Sequence, residues 1–442
     1  MFAGYIPSAP SVVAAAAKPL ADGYDELLEG IGDSEIVMIG EASHGTHDFY
    51  SVREALTRRL VAEKGFRIVA LEADWPDALR VNRYVSGRGA DRSANEALGG
   101  FRRFPIWMWR NTVMEEFVDW MKGWNSGIGR RETAGIFGMD LYSMHTSMDA
   151  VLDYLRDVDP SAYVRARARY SCFDHFGGDP QHYGYMTSSG RAEPCEGEVV
   201  TQLMELRERY MELVLRDGEA AEDEFFYAEQ NARLVVNAEQ YYRSMFIGRR
   251  GSWNLRDEHM TETLAALKQH FGSDGGKMVV WAHNSHLGDA RATEMSRRGE
   301  WNVGQLMRER FGSRVFNIGF STYSGTVTAA RNWGDPAECR QVRPALPGSY
   351  EALFHDTGRG DFWLDLRNGG EAAKSLAQER LQRAIGVIYR PETERGSHYF
   401  SASLPQQFDA MIHLDETRAL EPLERVSEWD KDELPETYPT GL

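Results

Sequence analysis

Two patterns and one composition predict an α/β fold for this chain of 442 residues, a mostly parallel central sheet flanked by helices. Short, nearly continuous apolar runs recur at 36–40 (IVMIG), 67–72 (RIVALE), 134–140 (AGIFGMD), 277–283 (KMVVWAH), 314–320 (RVFNIGF), 384–390 (AIGVIYR) and 408–414 (FDAMIHL). Runs of that length suit strands covered by helices on both faces. Segments of helical periodicity separate them, which is the rhythm of parallel strands joined by crossovers. At 42% hydrophobic and 26% charged, the chain can bury the core that such a sheet requires.

Residues 1–442 read as a single domain, without internal repeat or low-complexity linker. Two regions interrupt the rhythm. Residues 101–124 carry tryptophans at 107, 109, 120 and 124. Residues 198–245 read as a helical hairpin. Leu203, Leu206, Tyr210 and Leu213 fall at spacings of three and four, RDGEAAED loosens the pattern, and Phe225, Ala228, Ala232, Val235, Ala238 and Tyr242 resume it. That pair of amphipathic helices forms a lobe beside the sheet. The preceding stretch, 171–197, is rich in glycine and aromatics and reads as a lid or a long connection. Residues 391–406 read as a polar surface link between the last two strands.

The formal charge is −17, an acidic field that argues against nucleic acid and anionic membrane as partners and leaves a small-molecule substrate. Cys172, Cys195 and Cys339 make no CxxC pair, so neither a disulfide framework nor a thiolate metal site follows from them. The short apolar start has no basic segment before it and does not read as a signal peptide. No apolar stretch reaches membrane-spanning length, and a cytoplasmic enzyme is expected. No heptad or apolar strip points to an oligomeric state.

The chemistry gathers where strands end. Glu41 and His44 follow the first run, Glu72 and Asp74 end the second, Asp140 closes the third, and His283 and His286 close the fourth. In an open parallel sheet those ends share one crevice. Taken singly, each is an ordinary hydrogen-bonded or capping residue; together they are costly to desolvate without a use. His47, Asp48 and Asp140 keep the ordinary reading, with Asp48 suited to a helix N-terminus.

Three chemistries fit. A serine hydrolase would use Ser43, but GEASHG is not G-x-S-x-G. Glu41, His44, Glu72, His283 and His286 are candidate metal ligands, although neither HGTH nor HNSH is HExxH. Lastly, a histidine oriented by a carboxylate could activate water toward an ester or lactone carbonyl, with other histidines or an arginine stabilising the oxyanion.

GEASHGTHDF, followed by LEAD and AHNSH, resembles the erythromycin esterase family, whose hallmark is GEA-[ST]-HG. FPIWMWRN, CFDHFGGDPQHYG, WNLRDEHM, RPETERGSHYF and QFDAMIH extend the resemblance over nearly the whole chain. These later motifs place it nearer the broad bacterial branch than the macrolide-resistance enzymes. The resemblance implies an α/β core with the helical lobe over an active-site cleft, and hydrolysis of a macrocyclic lactone without a serine nucleophile, a required metal or a cofactor. It implies His44 as general base, with Glu72 orienting it and Glu41 ordering the water. Arg53 would supply charge for the oxyanion or the substrate, or else hold the cleft together by salt bridges. His283 and His286 would act as acid or oxyanion donors. Arg256, Asp257 and Trp107 are expected substrate contacts, with structural anchoring as their alternative. A binding protein that keeps the pocket without turnover remains a further reading.

Overall fold

The computed structural model of the chain describes residues 8–20, 23–129, 132–210 and 219–424. The strands are β1 (Lys18–Pro19), β2 (Ile36–Ile39), β3 (Ile68–Asp74), β4 (Gly135–Asp140), β5 (Met278–Trp281), β6 (Val315–Ala329), β7 (Glu338–Val342), β8 (Phe362–Asp365), β9 (Arg380–Arg383), β10 (Tyr399–Ala402) and β11 (Ala410–Thr417). The main sheet runs β1-β8-β11-β6-β2-β5-β3-β4, with β7 on the far end of β6, while β9 and β10 pair separately. From β11 to β4 every pairing is parallel; β8, β1 and β7 join antiparallel.

Side-chain alternation explains why the central runs are apolar throughout. Val37, Ile39, Val69, Leu71, Val279 and Trp281 enter one buried cluster. Their neighbours Ile36, Met38, Ile68, Ala70, Met278 and Val280 enter another on the opposite face. That second cluster runs on into the helical lobe through Leu203, Leu206, Phe225, Val235 and Tyr242. The hairpin is present as helices Glu196–Glu208 and Glu219–Met245. Leu213 lies outside the described residues.

Three expectations need correction. Residues 384–390 are not a strand; Ile385 and Ile388 make single bridges, and Ile385 and Tyr389 pack with Val327 and Val342. The strand beside β11 is instead β8, whose FWLD is too short to announce itself. The segment 171–197 is not an open loop: it holds a short 3-10 turn, Ser171–Phe176, and a helix, Pro180–Ser188, capped by Asp179. Cys172 and Cys195 form a disulfide across that segment, and Cys339 is free and exposed. No helix among the described residues is long and apolar enough to cross a membrane.

One irregularity serves the site. The register of β3 shifts against β4 between Leu71 and Asp74. A Cβ at Gly138 would lie 2.5 Å from the Ala73 and Asp74 carbonyl oxygens, so only glycine lets this bulge cross β4.

Candidate active site

The sheet order decides which strand ends meet. β2, β5, β3 and β4 are consecutive, so Glu41 and His44, then His283 and His286, then Glu72, then Asp140 follow one another along one edge.

The turn after β2 carries the first group. His44 Nδ1 lies 2.8 Å from Glu41 Oε1, and Arg53 donates to Glu41 Oε2 at 2.6 Å. Arg53 is on the helix His47–Lys64, wholly buried, with its guanidinium 4.2 Å from the Tyr50 ring centre and 4.9 Å from that of Trp281. It fixes Glu41 and lines no part of the cleft. Because Nδ1–H is directed at a carboxylate, the tautomer leaves a lone pair on His44 Nε2. Ser43 does not face His44; its hydroxyl is paired with Thr46. Asp48, in the first turn of that helix, accepts the Arg418 N–H at 2.7 Å.

The second group is a closed network around Arg256, from the helix Arg249–Gly275. Arg256 donates to Asp140 Oδ1 at 2.9 Å and Oδ2 at 2.6 Å, to Glu72 Oε1 at 2.7 Å, and meets His286 Nε2 at 3.0 Å. Asp257 holds His286 Nδ1 at 2.9 Å and accepts the Val303 N–H. Glu72 Oε2 accepts the His283 N–H at 2.9 Å. Burial opposes ionisation of Glu72, but His286, Arg256 and His44 outweigh it and hold the carboxyl well below the ordinary range. Burial likewise opposes charge on His286, yet Asp257 and Glu72 raise its pKa.

His283 bridges the two groups. Its ring centre lies 4.9 Å from that of His44. Its Nδ1 accepts the Ser285 N–H at 3.2 Å, which places the proton on Nε2, and no well-formed hydrogen bond reaches that buried atom. Burial, reinforced by His44, pushes its pKa well down, so the ring is neutral.

The cleft is narrow, about 100 Å³ inside, and opens to solvent. His44, Glu72, Asp74, Asp77, Asp140, Tyr142 and Arg256 line its polar side; Phe101, Phe104, Met108, Trp109, Trp333 and Val387 line the apolar side. Asn111 pins the aromatic segment by donating to the Trp107 and Met108 carbonyls while capping the helix Thr112–Ser126. The helical lobe reaches the cleft through Tyr142, whose carbonyl accepts from Tyr242 and whose ring meets Tyr241.

Several expected placements differ. Trp107 is buried in the core and Trp109 stands in the cleft instead. Asp257 is wholly buried and holds His286, so neither of them touches the cleft. Glu41, not Glu72, is the carboxylate on His44. Gly45 packs directly on the sheet: a Cβ there would lie 1.8 Å from the Thr328 carbonyl of β6. Asp140 belongs with the site although it reads as ordinary in sequence, and the strand-end rule that found Glu72 applies to it equally. Among the described residues, no three His, Cys, Asp or Glu side chains converge as a metal-ligand set.

The family model of erythromycin esterase matches residues 61–417. This chain belongs to the erythromycin esterase family. It is 22% identical over 423 residues to erythromycin esterase type II of Escherichia coli, covering 90% of this chain and 94% of that protein. Among solved structures, a Bacillus cereus protein superposes with a TM-score of 0.79 at 21% identity, over 94% of this chain and 98% of its own. An erythromycin esterase, EreC, with a histidine-to-asparagine substitution and in its open conformation, superposes at 0.66 with 16% identity, over 90% and 94%. At those identities the neighbours establish an erythromycin-esterase-like α/β fold, and family membership points to an ester hydrolase.

Proposed function

We propose that this member of the erythromycin esterase family hydrolyses an ester or lactone by attack of water activated at His44. One observation carries the reading: His44 lines the cleft with Nδ1 committed to Glu41 and Nε2 left to accept a proton. Arg53 keeps Glu41 in place, and Glu41 stabilises the imidazolium that forms as water loses its proton. The neighbouring His283, whose ring packs on His44 from behind the cleft lining, is the candidate second histidine for the developing oxyanion. Glu72 and Arg256 border the cleft and, with His286 behind them, set its electrostatics. The name of the Escherichia coli relative makes a macrolide lactone the first substrate to try.

The test incubates macrolides, simpler lactones and esters with the protein and with His44→Ala, with and without chelator, and follows mass. Gain of one water, absent in the variant and indifferent to chelator, is the expected result. Turnover retained in His44→Ala would move the base elsewhere, and turnover lost to chelator would replace it with a metal centre.

A further inference from the structure

A second cavity, of about 760 Å³, shares no lining residue with the cleft and has no part in the chemistry proposed above. It lies between three helices, Trp75–Val85, Met144–Val158 and Glu219–Met245. Ala150 on the second and Ala228 on the third border it with a methyl group each, so short side chains leave the space unfilled. Folded chains pack their interiors closely, with few voids larger than a water molecule. A recess of this size belongs to the helix arrangement, and it falls in the range of small-molecule sites.

Its inner wall is buried and almost wholly apolar. Leu79, Tyr227 and Ala228 are at most 7% exposed. One polar group interrupts that wall. Asn231, 2% exposed, donates through Nδ2 to the Tyr227 carbonyl at 2.9 Å, and its Oδ1 has no hydrogen-bond partner. A buried acceptor left unpaired is costly. Water is a poor remedy, because it needs several polar partners and Leu79, Ala150 and Ala228 provide none. Asn231 thus asks for a donor arriving with a ligand.

The mouth narrows the choice. Its guanidiniums are spent on neighbours, Arg80 on Asp91 at 2.7 Å and Arg83 on Glu224 at 2.8 Å. Asp153 and Asp157 add further carboxylates, so a phosphate or carboxylate would be repelled. Two rings border the space from different helices, Tyr154 and Tyr227, and rings favour a planar partner. A hydroxyl would bring lone pairs that need donors of their own, whereas a ring N–H only donates.

We propose that this cavity binds an uncharged planar heteroaromatic ring, its N–H directed at Asn231 Oδ1 and its body against Tyr154, Tyr227 and Leu79. It is a second small-molecule site, and it stands whether or not the cleft hydrolyses esters.

The test uses indole and 1-methylindole, which differ in the donor and carry no hydrolysable bond. Saturation-transfer NMR titration of the wild-type protein is expected to show saturable indole binding, with 1-methylindole about tenfold weaker although it is the more apolar probe. Asn231→Leu removes the acceptor at similar volume and should make the two probes equal. Ala150→Leu fills the space and should weaken both at least tenfold. Ala150 is only half-buried, so this variant tests the site even if Asn231→Leu fails to fold, and circular dichroism checks each. The proposal is overturned by the absence of saturable indole binding or by equal affinity for both probes in the wild type. It is equally overturned by discrimination that survives Asn231→Leu, or by binding that Ala150→Leu leaves untouched, which would place the probe elsewhere.

Discussion

The two halves of the site use the same residue types to opposite ends. Around His44, one histidine, one glutamate and one arginine form a linear chain, Arg53–Glu41–His44, that stops at the cleft with an imidazole nitrogen unbonded. Around Arg256, one histidine, His286, and two carboxylates, Glu72 and Asp140, close a ring of contacts in which every side-chain nitrogen of Arg256 has a partner. An open chain can gain and lose a proton at the cleft. A closed network can only set the field around it. Reactivity and rigidity are thus divided between neighbouring strand ends.

The division can be broken from either side. His44→Ala should lower turnover by roughly 10²–10⁴-fold while leaving thermal stability nearly unchanged; a melting curve that collapses would make His44 structural. Arg256→Met should do the reverse first, costing about 3–5 kcal/mol of folding stability in urea titration, because Glu72 and Asp140 would be left buried and unpaired. Were Arg256→Met as stable as wild type, the network would not be the rigid half. Glu41→Gln should lower turnover by about 10–100-fold, since the amide orients His44 without supporting its charge; the same change tests whether Glu41 rather than Glu72 is the partner that matters. Ser43→Ala should keep appreciable activity, given that its hydroxyl turns to Thr46. A further effect is one of pH. Asp77 folded holds a proton to about pH 8 that the unfolded chain releases near pH 4, so its contribution to stability is present at low pH and is lost as pH rises through that window. Asp77→Asn should flatten that decline in melting temperature, and an unchanged slope would show that another group is responsible.

Much of this was legible because strand ends in a parallel sheet converge whatever lies between them. Glu41, His44, Glu72 and His283 could be grouped from position alone. What could not be read was which atom faces which. Glu41 and Glu72 are both glutamates after apolar runs; Glu41 reaches His44 within its own turn, while the strand order β2-β5-β3 puts Glu72 under the His283 amide. Trp107 and Trp109 differ by two residues on a short turn, Ile106–Met108, with no periodicity to say which ring is core. Residues 384–390 imitate a strand because Ile385 and Tyr389 are buried against β6 and β7 while the segment makes single bridges. The disulfide depends on the fold of 171–197, which composition alone describes as loop.

The turn that presents His44 is held by main chain from all sides. Gly40 N–H reaches Ile318, His44 N–H reaches Ile385, and the Ala42 carbonyl accepts from Ile385. The Gly45 carbonyl accepts from both Thr328 and Leu420, and His47 N–H reaches Arg418. Backbone partners are indifferent to the side chains they carry, but not to where the chain brings them. Segments at 318, 328, 385 and 418–420 are therefore free to drift in letters and constrained in length. A lineage could rewrite most of its sequence and keep this corner in place, whereas a single deletion after β6 would let it go. Transplanting GEASHG alone onto another sheet would carry the histidine and leave behind the scaffold that aims it.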